Sequence, residues 1–346
     1  MSDTLTVAAA LIVRNEERFL SGCLQSLRGC VDEIVVVDTG SADASIDICR
    51  GAGAVVLHHE WNQDFAAARN AGLDAVTCDW VLYIDADERL HLPRGGTVSG
   101  YLDASAIAAN VRFRPKTGYT RYRESRLFRN DRRLRFAGKI HETIVPLLRE
   151  ISERENLPII QSEVEIDHLG YDGDQSEKHA RNLPLLQAAV RTNPDRVYYW
   201  YHLAETLAAL GRTEEALDAA REGLAGAERN PTEKQRADAS VVIQTIARLE
   251  LERGQNPLPL IESGLARVPE DYGLLFLYGR ALLAAARPHE ALDVASRLRK
   301  VDPDQLTRGL LAYDRSIFEE KACELAAIAR LQIARKGQYH VRSLGS

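Results

Sequence analysis

The chain changes character near residue 170, and this change limits its possible folds more than any other feature of the sequence. Before it, short β-branched runs alternate with helix-length amphipathic segments. After about residue 175 no convincing strand pattern occurs, and Leu, Ala, Glu and Arg dominate. A length of 346 residues is that of about two domains. We therefore predict an α/β domain over residues 1–170 and an all-α domain over residues 171–346.

Four apolar runs in the first half are predicted strands. They cover residues 5–13, 33–37, 55–58 and 80–84. The segments between them have helical periodicity, and Asp64 stands where a helix N-cap is expected. Strands that alternate with helices form right-handed βαβ units, so the pattern predicts a mostly parallel, Rossmann-like sheet.

The second half contains a degenerate helical repeat. Residues 199–225 resemble residues 274–299, because each copy has a bulky residue before a small one, then a short turn, then Glu-Ala-Leu. The offset from Ala216 to Ala291 fits two repeats of about 34 residues with a small insertion. The pattern is similar to tetratricopeptide (TPR) hairpins, with a poorer copy over residues 235–269. An irregular helical bundle is the alternative.

Two acidic residues, Asp85 and Asp87, follow the fourth predicted strand. In open α/β sheets the ligand site lies at the carboxyl ends of the strands. Carboxylates in an Asp-x-Asp pair offer oxygen ligands to Mg²⁺ or Mn²⁺, cations that also hold substrate phosphates. The alternative is that the pair only forms a turn or caps a helix.

Three further polar segments are expected at the same sheet edge. Asn15 follows the first strand, Asp38 follows the second, and Arg69 lies within residues 64–70. The Asp38 carboxylate can accept hydrogen bonds from a base or a ribose, and the forked guanidinium of Arg69 suits a phosphate. Each segment is ordinary alone, but together they converge on one edge.

In order and spacing these segments resemble the nucleotide-binding half of the family 2 glycosyltransferases, over roughly residues 5–90. The matching pieces are Ala10-Leu-Ile-Val-Arg-Asn-Glu-Glu, Asp32-Glu-Ile-Val-Val-Val-Asp-Thr-Gly-Ser, Asp64-Phe through Ala68-Arg-Asn, and Asp79-Trp through Asp85-Ala-Asp-Glu. Later pieces fit a subgroup with helical-repeat tails, namely Arg126-Leu-Phe-Arg, Gly138-Lys-Ile-His-Glu and His168-Leu-Gly-Tyr.

The resemblance implies a GT-A fold and an inverting, metal-dependent transfer of a sugar from a nucleotide diphosphate donor, with a UDP-sugar as the expected donor. Carried over to this sequence, Val13 and Asn15 border the nucleotide. Asp38 holds the uracil or the ribose, and Arg69 lies near the base and the phosphates. Asp85 contacts the ribose or the metal.

The resemblance also implies a metal site and a catalytic base. Asp87, with Asp85, would bind the Mn²⁺ or Mg²⁺ that neutralises the charge on the leaving diphosphate. Some GT-A enzymes close this site with a late histidine, and His168 has that position; a structural histidine is the alternative. Inversion needs a base on the opposite face of the sugar. Because the family's usual Glu-Asp pair is absent, we assign the base to Glu142, oriented by His141. A structural salt bridge is the alternative for Glu142.

Arginines are dense around two extended pieces, residues 106–114 and 124–129. They are Arg112, Arg114, Arg121, Arg123, Arg126, Arg129, Arg132, Arg133 and Arg135. Such a cluster can receive an anionic acceptor or steady a diphosphate, with an ordinary solvated face as the alternative.

Charge and cysteine usage limit the partners and the compartment. The net charge of −6 provides no global basic field, so we expect no nucleic-acid partner. The N-terminus lacks the positive region of a secretory signal, and the first apolar run is far shorter than the ~20 residues that span a bilayer. The five scattered cysteines show neither a disulfide framework nor a zinc knuckle. We expect a cytoplasmic protein without a transmembrane segment.

These observations favour a transferase whose helical repeats recruit a protein or peptide acceptor or form a homodimer. One alternative is a catalytically inactive scaffold whose repeats bind partner proteins. A third interpretation, a nucleotidyltransferase, is weaker, because the loop after the first strand has no glycine-rich sequence.

Overall fold

The computed structural model describes residues 5–170, 176–229, 233–306 and 311–343. These residues divide into an α/β unit, within residues 5–170 and 311–312, and a helical unit, within residues 176–306 and 313–343. Tyr171, the last residue of the His168 motif, lies outside the described residues. The predicted boundary between residues 170 and 171 lies at the edge of this gap and stays a prediction.

A mixed eight-stranded sheet forms the framework of the α/β unit. Its strands are β1 Val7–Val13, β2 Glu33–Asp38, β3 Val55–His58, β4 Trp80–Tyr83, β5 Glu88–His91, β6 Ala108–Arg114, β7 Tyr122–Arg129 and β8 Ile159–His168. They are arranged in the order β3-β2-β1-β4-β7-β6-β8-β5. Pairing is parallel for β3-β2, β2-β1, β1-β4 and β6-β8, and antiparallel for the other neighbours. The predicted α/β class is confirmed.

Helices cover both faces of this sheet. They are α1 Glu17–Leu27, α2 Ser45–Gly51, α3 Phe65–Ala75 and α4 Val145–Glu155. In α1 the buried residues recur at the spacing of one helix face: Leu20, Cys23, Leu24 and Leu27. Before α3, the Asp64 side chain accepts a hydrogen bond from the Ala67 N–H at 2.9 Å, which confirms the predicted N-cap.

The central strand β1 contributes to two apolar cores, one on each side of the sheet. Val7, Ala9 and Leu11 pack into one core, whereas Ala8 and Ala10 pack into the other. Successive side chains of a strand point to opposite faces, so a strand covered on both sides must be apolar throughout. This explains why the run reads as continuous rather than alternating.

The helical unit contains the predicted hairpins. Its helices are α5 Ser176–Thr192, α6 Val197–Ala209, α7 Thr213–Arg229, α8 Glu233–Glu252, α9 Leu258–Arg267, α10 Tyr272–Ala284, α11 Pro288–Leu298 and α12 Glu320–Ser343. The two similar copies form α6/α7 and α10/α11, and the poorer copy forms α8/α9. Helices approach closely at small residues, since a methyl group on Gly223 would come within 2.6 Å of Trp200 Cβ. No helix in the described ranges has the length and hydropathy required to cross a membrane.

Candidate functional site

Three neighbouring strands bring polar loops to one edge of the sheet. β2, β1 and β4 run parallel and side by side, so their carboxyl ends lie together. Val13 at the end of β1 is the register partner of Asp38 at the end of β2. Asp85 follows the end of β4. The polar loops after these three strands therefore lie at the same edge of the sheet.

Asn15 ties the loop after β1 to the loop after β2. Its backbone N–H donates to Ser41 Oγ at 3.0 Å, and its side-chain Oδ1 accepts from the Ala42 N–H at 2.8 Å. Its φ of 56° lies in the left-handed region, which asparagine tolerates better than most residues. Val13 is buried, and its carbonyl oxygen accepts from the Thr39 N–H at 3.0 Å.

The Asp38 carboxylate is nearly enclosed by its own loop, with 2% of the residue exposed. Oδ2 accepts from the Gly40 N–H at 3.1 Å and Oδ1 from the Ser41 N–H at 3.0 Å, while His58 Nδ1 lies 3.5 Å from Oδ2. Burial alone would raise the pKa of Asp38, but these hydrogen bonds outweigh it and hold the pKa below its ordinary value. The carboxylate is therefore charged at neutral pH.

Arg69 joins carboxylates from two different segments, and only 9% of its side chain is exposed. Nη2 donates to Asp85 Oδ1 at 2.8 Å, and Nε donates to Glu142 Oε1 at 2.5 Å. Burial alone would raise the pKa of Asp85, but the positive charges of Arg69 and Arg126 outweigh it and lower the pKa to about 2. Glu142 thus forms the salt bridge that was the alternative to its role as base.

Tyr83 fixes the guanidinium groups of two arginines. The guanidinium carbon of Arg69 lies 5.1 Å from the centre of the Tyr83 ring, and that of Arg126 lies 4.5 Å from it. Arg69 also lies over Phe136, at 5.5 Å, and Arg126 lies over Phe113, at 4.7 Å. These are cation–π distances, and they hold both arginines between apolar rings.

The loop that carries His141 and Glu142 is closed by a single antiparallel bridge between Ala137 and Thr143. His141 is half-buried, and its φ of 49° lies in the left-handed region that non-glycine residues rarely adopt. Within this motif it is Glu142 that reaches the Arg69 cluster. The orienting role of His141 stays a prediction.

Strand pairing brings Asp87 and His168 together. β5 and β8 are antiparallel, with Glu88 opposite His168. His168 Nε2 lies 3.1 Å from Asp87 Oδ2, and Nδ1 lies 3.0 Å from the Pro115 carbonyl oxygen. A carbonyl oxygen only accepts, so Nδ1 carries a proton and donates, which directs Nε2 towards the carboxylate.

Asp87 and His168 offer two side chains that can act as ligands to a metal ion. Burial alone would lower the pKa of His168, but the Asp87 carboxylate outweighs it and raises the pKa above 6.5. Among the residues that the structure describes, no three His, Cys, Asp or Glu side chains converge to hold a metal ion. Asp85, the third predicted ligand, uses Oδ1 to accept the bond from Arg69.

The sequence did not point to a second buried ion pair, Glu88–Arg126, beneath the acidic turn. Arg126 Nη2 donates to Glu88 Oε1 at 2.9 Å, and Glu88 Oε2 accepts from the Asp85 N–H at 2.8 Å. Burial raises the pKa of Glu88, against the lowering effect of Arg126. The position of Glu88 directly after Asp87 was the one sign of this pair in the sequence. Its partner, Arg126, lies on β7, far along the chain.

Gly170 and Asn70 are two further site residues that the sequence did not single out. A methyl group on Gly170 would come within 1.8 Å of Asp87 Oδ2, so only glycine leaves room for that carboxylate. Asn70, beside Arg69, donates to the Phe136 carbonyl oxygen at 3.0 Å and accepts from the Phe136 N–H at 2.9 Å. It therefore anchors the segment that packs on Arg69.

Known proteins resemble this chain in both units. Residues 9–146 match the sequence model of the family described as Glycosyl transferase family 2. A TPR repeat-containing protein of Synechococcus elongatus is 34% identical over 232 residues, which cover 63% of this chain and 56% of that protein. The SPbeta prophage-derived glycosyltransferase SunS of Bacillus subtilis is 27% identical over 256 residues, or 71% of this chain and 59% of that protein.

Among solved structures, glucosyl-3-phosphoglycerate synthase of Mycobacterium tuberculosis, in complex with Mn²⁺, UDP and glucosyl-3-phosphoglycerate, aligns with 54% of this chain and 79% of its own, at 17% identity and a TM-score of 0.38. The chain spans less than two thirds of the length of the two curated relatives, 56% and 59% respectively.

Proposed function

We propose that this chain, whose residues 9–146 form a glycosyl transferase family 2 domain, transfers a sugar with inversion from a nucleotide diphosphate donor to an acceptor. The observation that carries the proposal is the acidic turn after β4. There Asp85 is fixed by the buried Arg69, and Asp87 lies 3.1 Å from His168. A charged turn of this kind at the carboxyl ends of parallel strands suits a diphosphate and its cation.

The donor we propose is a UDP-sugar. Asp85 is better suited than Asp38 to contact the nucleotide, because 36% of its side chain is exposed against 2% for Asp38. The second oxygen of Asp85 can therefore accept a ribose hydroxyl while the first stays on Arg69. Asp38 and Asn15 act by shaping the loops beside it.

Asp87 and His168 would hold Mn²⁺ or Mg²⁺. Their chemistry fits a divalent cation, since a carboxylate oxygen and an imidazole nitrogen face each other and the imidazole is oriented from behind by the Pro115 carbonyl oxygen. Such cations commonly use one or two protein side chains and take further ligands from substrate phosphates. When bound, the cation neutralises charge on the leaving diphosphate.

The base we propose is still Glu142, which must deprotonate the acceptor hydroxyl. Its bond to Arg69 Nε engages one carboxylate oxygen, Oε1, and leaves Oε2 for the acceptor proton. The bond to a guanidinium makes the carboxylate a weaker base, so turnover in a Glu142→Gln variant is the test of this assignment.

The acceptor we propose is a protein or peptide bound by the helical repeats. This rests on the hairpins α6/α7, α8/α9 and α10/α11 and on the name of the cyanobacterial relative. This support is an analogy at the level of the fold.

Calorimetric titration of the full chain with UDP, GDP and CDP, each with and without Mn²⁺, tests the donor site. We expect UDP to bind in a Mn²⁺-dependent manner and to lose this binding in Asp87→Ala. The matched control is Asp74→Ala, which removes an exposed carboxylate paired with Arg135. Absence of nucleotide binding in the folded wild-type chain would overturn the transferase and support an inactive scaffold instead.

A further inference from the structure

A second charged cluster lies on the sheet face opposite the one that carries His168. It lines an open groove of about 430 Å³, which we call the arginine groove. Its charged and titratable lining residues are His91, Arg112, Arg121, Glu165 and Asp167. A volume of this size lies within the ~300–1,000 Å³ of typical small-molecule sites.

Strand register separates this groove from the donor site. Arg112 of β6 is opposite Glu165 of β8, and His91 of β5 is opposite Glu165 on its other side. Alternate residues of a strand face opposite sides of the sheet. Glu165 and Asp167 therefore face the groove, whereas His168 faces the side of Asp87.

The groove is built around two carboxylates that are each shared by cations. Asp167 is 8% exposed, with Arg121 Nη1 at 2.5 Å from Oδ1 and His91 Nε2 at 3.4 Å from Oδ2, and Arg114 also contacts Oδ2. Glu165 contacts Arg121 Nη2 at 3.1 Å and Arg112 Nη1 at 3.3 Å. Three guanidinium groups thus surround two carboxylates, which leaves a positive excess.

Arg112 Nε is buried and has no hydrogen-bond partner within the part of the chain that the structure describes, so the groove does not satisfy all of its own donors. A buried N–H without an acceptor is costly, and an oxyanion in the groove would supply the acceptor.

We propose that the arginine groove binds the phosphate or carboxylate group of a small molecule, with Arg112 as the principal donor and Arg121 beside it. Arg121 is already held by Asp167 and Glu165, so it presents its charge in a fixed position. Arg112 is 32% exposed and can turn its guanidinium edge to the ligand. The site does not depend on glycosyl transfer, and its ligand is an effector or a substrate group distinct from the donor diphosphate.

The test is calorimetric titration of the full chain at constant ionic strength with four probes: inorganic phosphate, glucose 6-phosphate, gluconate and glucose. We expect the charged probes to bind and glucose to give no signal. Comparison of glucose 6-phosphate with gluconate tells a phosphate site from a carboxylate site. Failure of all three charged probes to bind at about 1 mM would overturn the proposal.

Variants show where the probes bind. Arg112→Gln and Arg112→Lys should each weaken the tightest probe by about tenfold, because lysine restores the charge but not the planar fork. The control is Arg133→Gln, which removes an exposed arginine paired with Asp131 and Glu155. Equal affinity in Arg112→Gln and wild type would overturn the assignment. Saturating UDP with Mn²⁺ should leave phosphate affinity unchanged, and displacement by UDP would place the ions in the donor site instead.

Discussion

At the scale of single residues, Arg69 is the side chain on which the candidate site depends. It is one buried cation serving two carboxylates, Asp85 and Glu142, that come from segments far apart in the chain. Breaking a buried pair leaves uncompensated charge, at a cost of about 3–5 kcal/mol. The same residue therefore links the stability of the α/β unit to the geometry of the acidic turn.

Glu142→Gln separates the two roles open to Glu142. An amide oxygen at this position still accepts the bond from Arg69 Nε, so we expect UDP affinity to be retained. If Glu142 is the base, turnover of the donor sugar should fall by about 10²–10⁴-fold, because the proton acceptor is lost. Donor hydrolysis measures turnover and calorimetry measures affinity. Unchanged turnover would exclude the base role, and a joint loss of both would make Glu142 a positioning residue for Arg69.

Gly170→Ala should disrupt the Asp87–His168 pair. The added methyl group would lie 1.8 Å from Asp87 Oδ2, so the carboxylate must turn away from His168 Nε2. We expect Mn²⁺-dependent UDP binding to be lost, as followed by calorimetry. Gly51→Ala is the control, since its methyl group meets nothing within 4 Å. Retained binding in a folded Gly170→Ala chain would contradict the role of this carboxylate.

Asp38 should contribute stability that depends on pH. Its pKa in the folded state is held below the ordinary value of 3.8, so the contribution is present above that value and is lost as the pH falls through the folded pKa. We expect wild type to be more stable than Asp38→Asn at pH 7, with the difference shrinking below about pH 4. Urea unfolding across this range measures it. If the difference in stability between wild type and Asp38→Asn does not change with pH, the negative charge of Asp38 is not its cause.

At the scale of elements, close helix approach at glycine defines the hairpins of the helical unit. In α7, Gly223 lies against the Cβ atom of Trp200 in α6, which cannot move without its backbone. We expect Gly223→Ala to destabilise this unit by about 1–3 kcal/mol, despite the better helix propensity of alanine. Urea unfolding followed by far-UV circular dichroism is the measurement. Glu222→Ala, an exposed neighbour on the same helix, should change stability by no more than about 0.5 kcal/mol.

Elements that depend on local patterns could be predicted from the sequence, and elements that depend on distant pairing could not. β1, β2 and β4, with their polar ends, follow from apolar runs and the acidic turn. β5 did not stand out, because its four residues, Glu88–His91, include three charged or titratable side chains. It exists through pairing with β8, which lies about seventy residues further along the chain.

The same distinction applies to the candidate site. The sequence indicated Asp85, Asp87 and Arg69 because each belongs to a short local motif. The partner that each one meets depends on register: Arg69 meets Glu142 through a loop, and Asp87 meets His168 through β5 and β8. The predicted arginine cluster likewise divides into pairs that only strand pairing determines, such as Arg126 with Glu88.

At the scale of the whole molecule, each unit has its own hydrophobic core. The α/β cores are centred on the strands, and the helical core extends from α8 to α12. Chains with separate cores commonly depart from two-state unfolding. We therefore expect two transitions in urea, of which Gly223→Ala shifts only one. A single transition that Gly223→Ala displaces as a whole would show that the two units unfold together.

Strand β8 serves two sites at once, because His168 faces one side of the sheet and Asp167 faces the other. This restricts the insertions and deletions that strand β8 can accept. A single-residue insertion within β8 would reverse the facing of every later side chain, and so would remove His168 from Asp87 and Asp167 from its arginines together. Insertions or deletions of two residues preserve the facing, so natural length variation in this strand should occur in even steps.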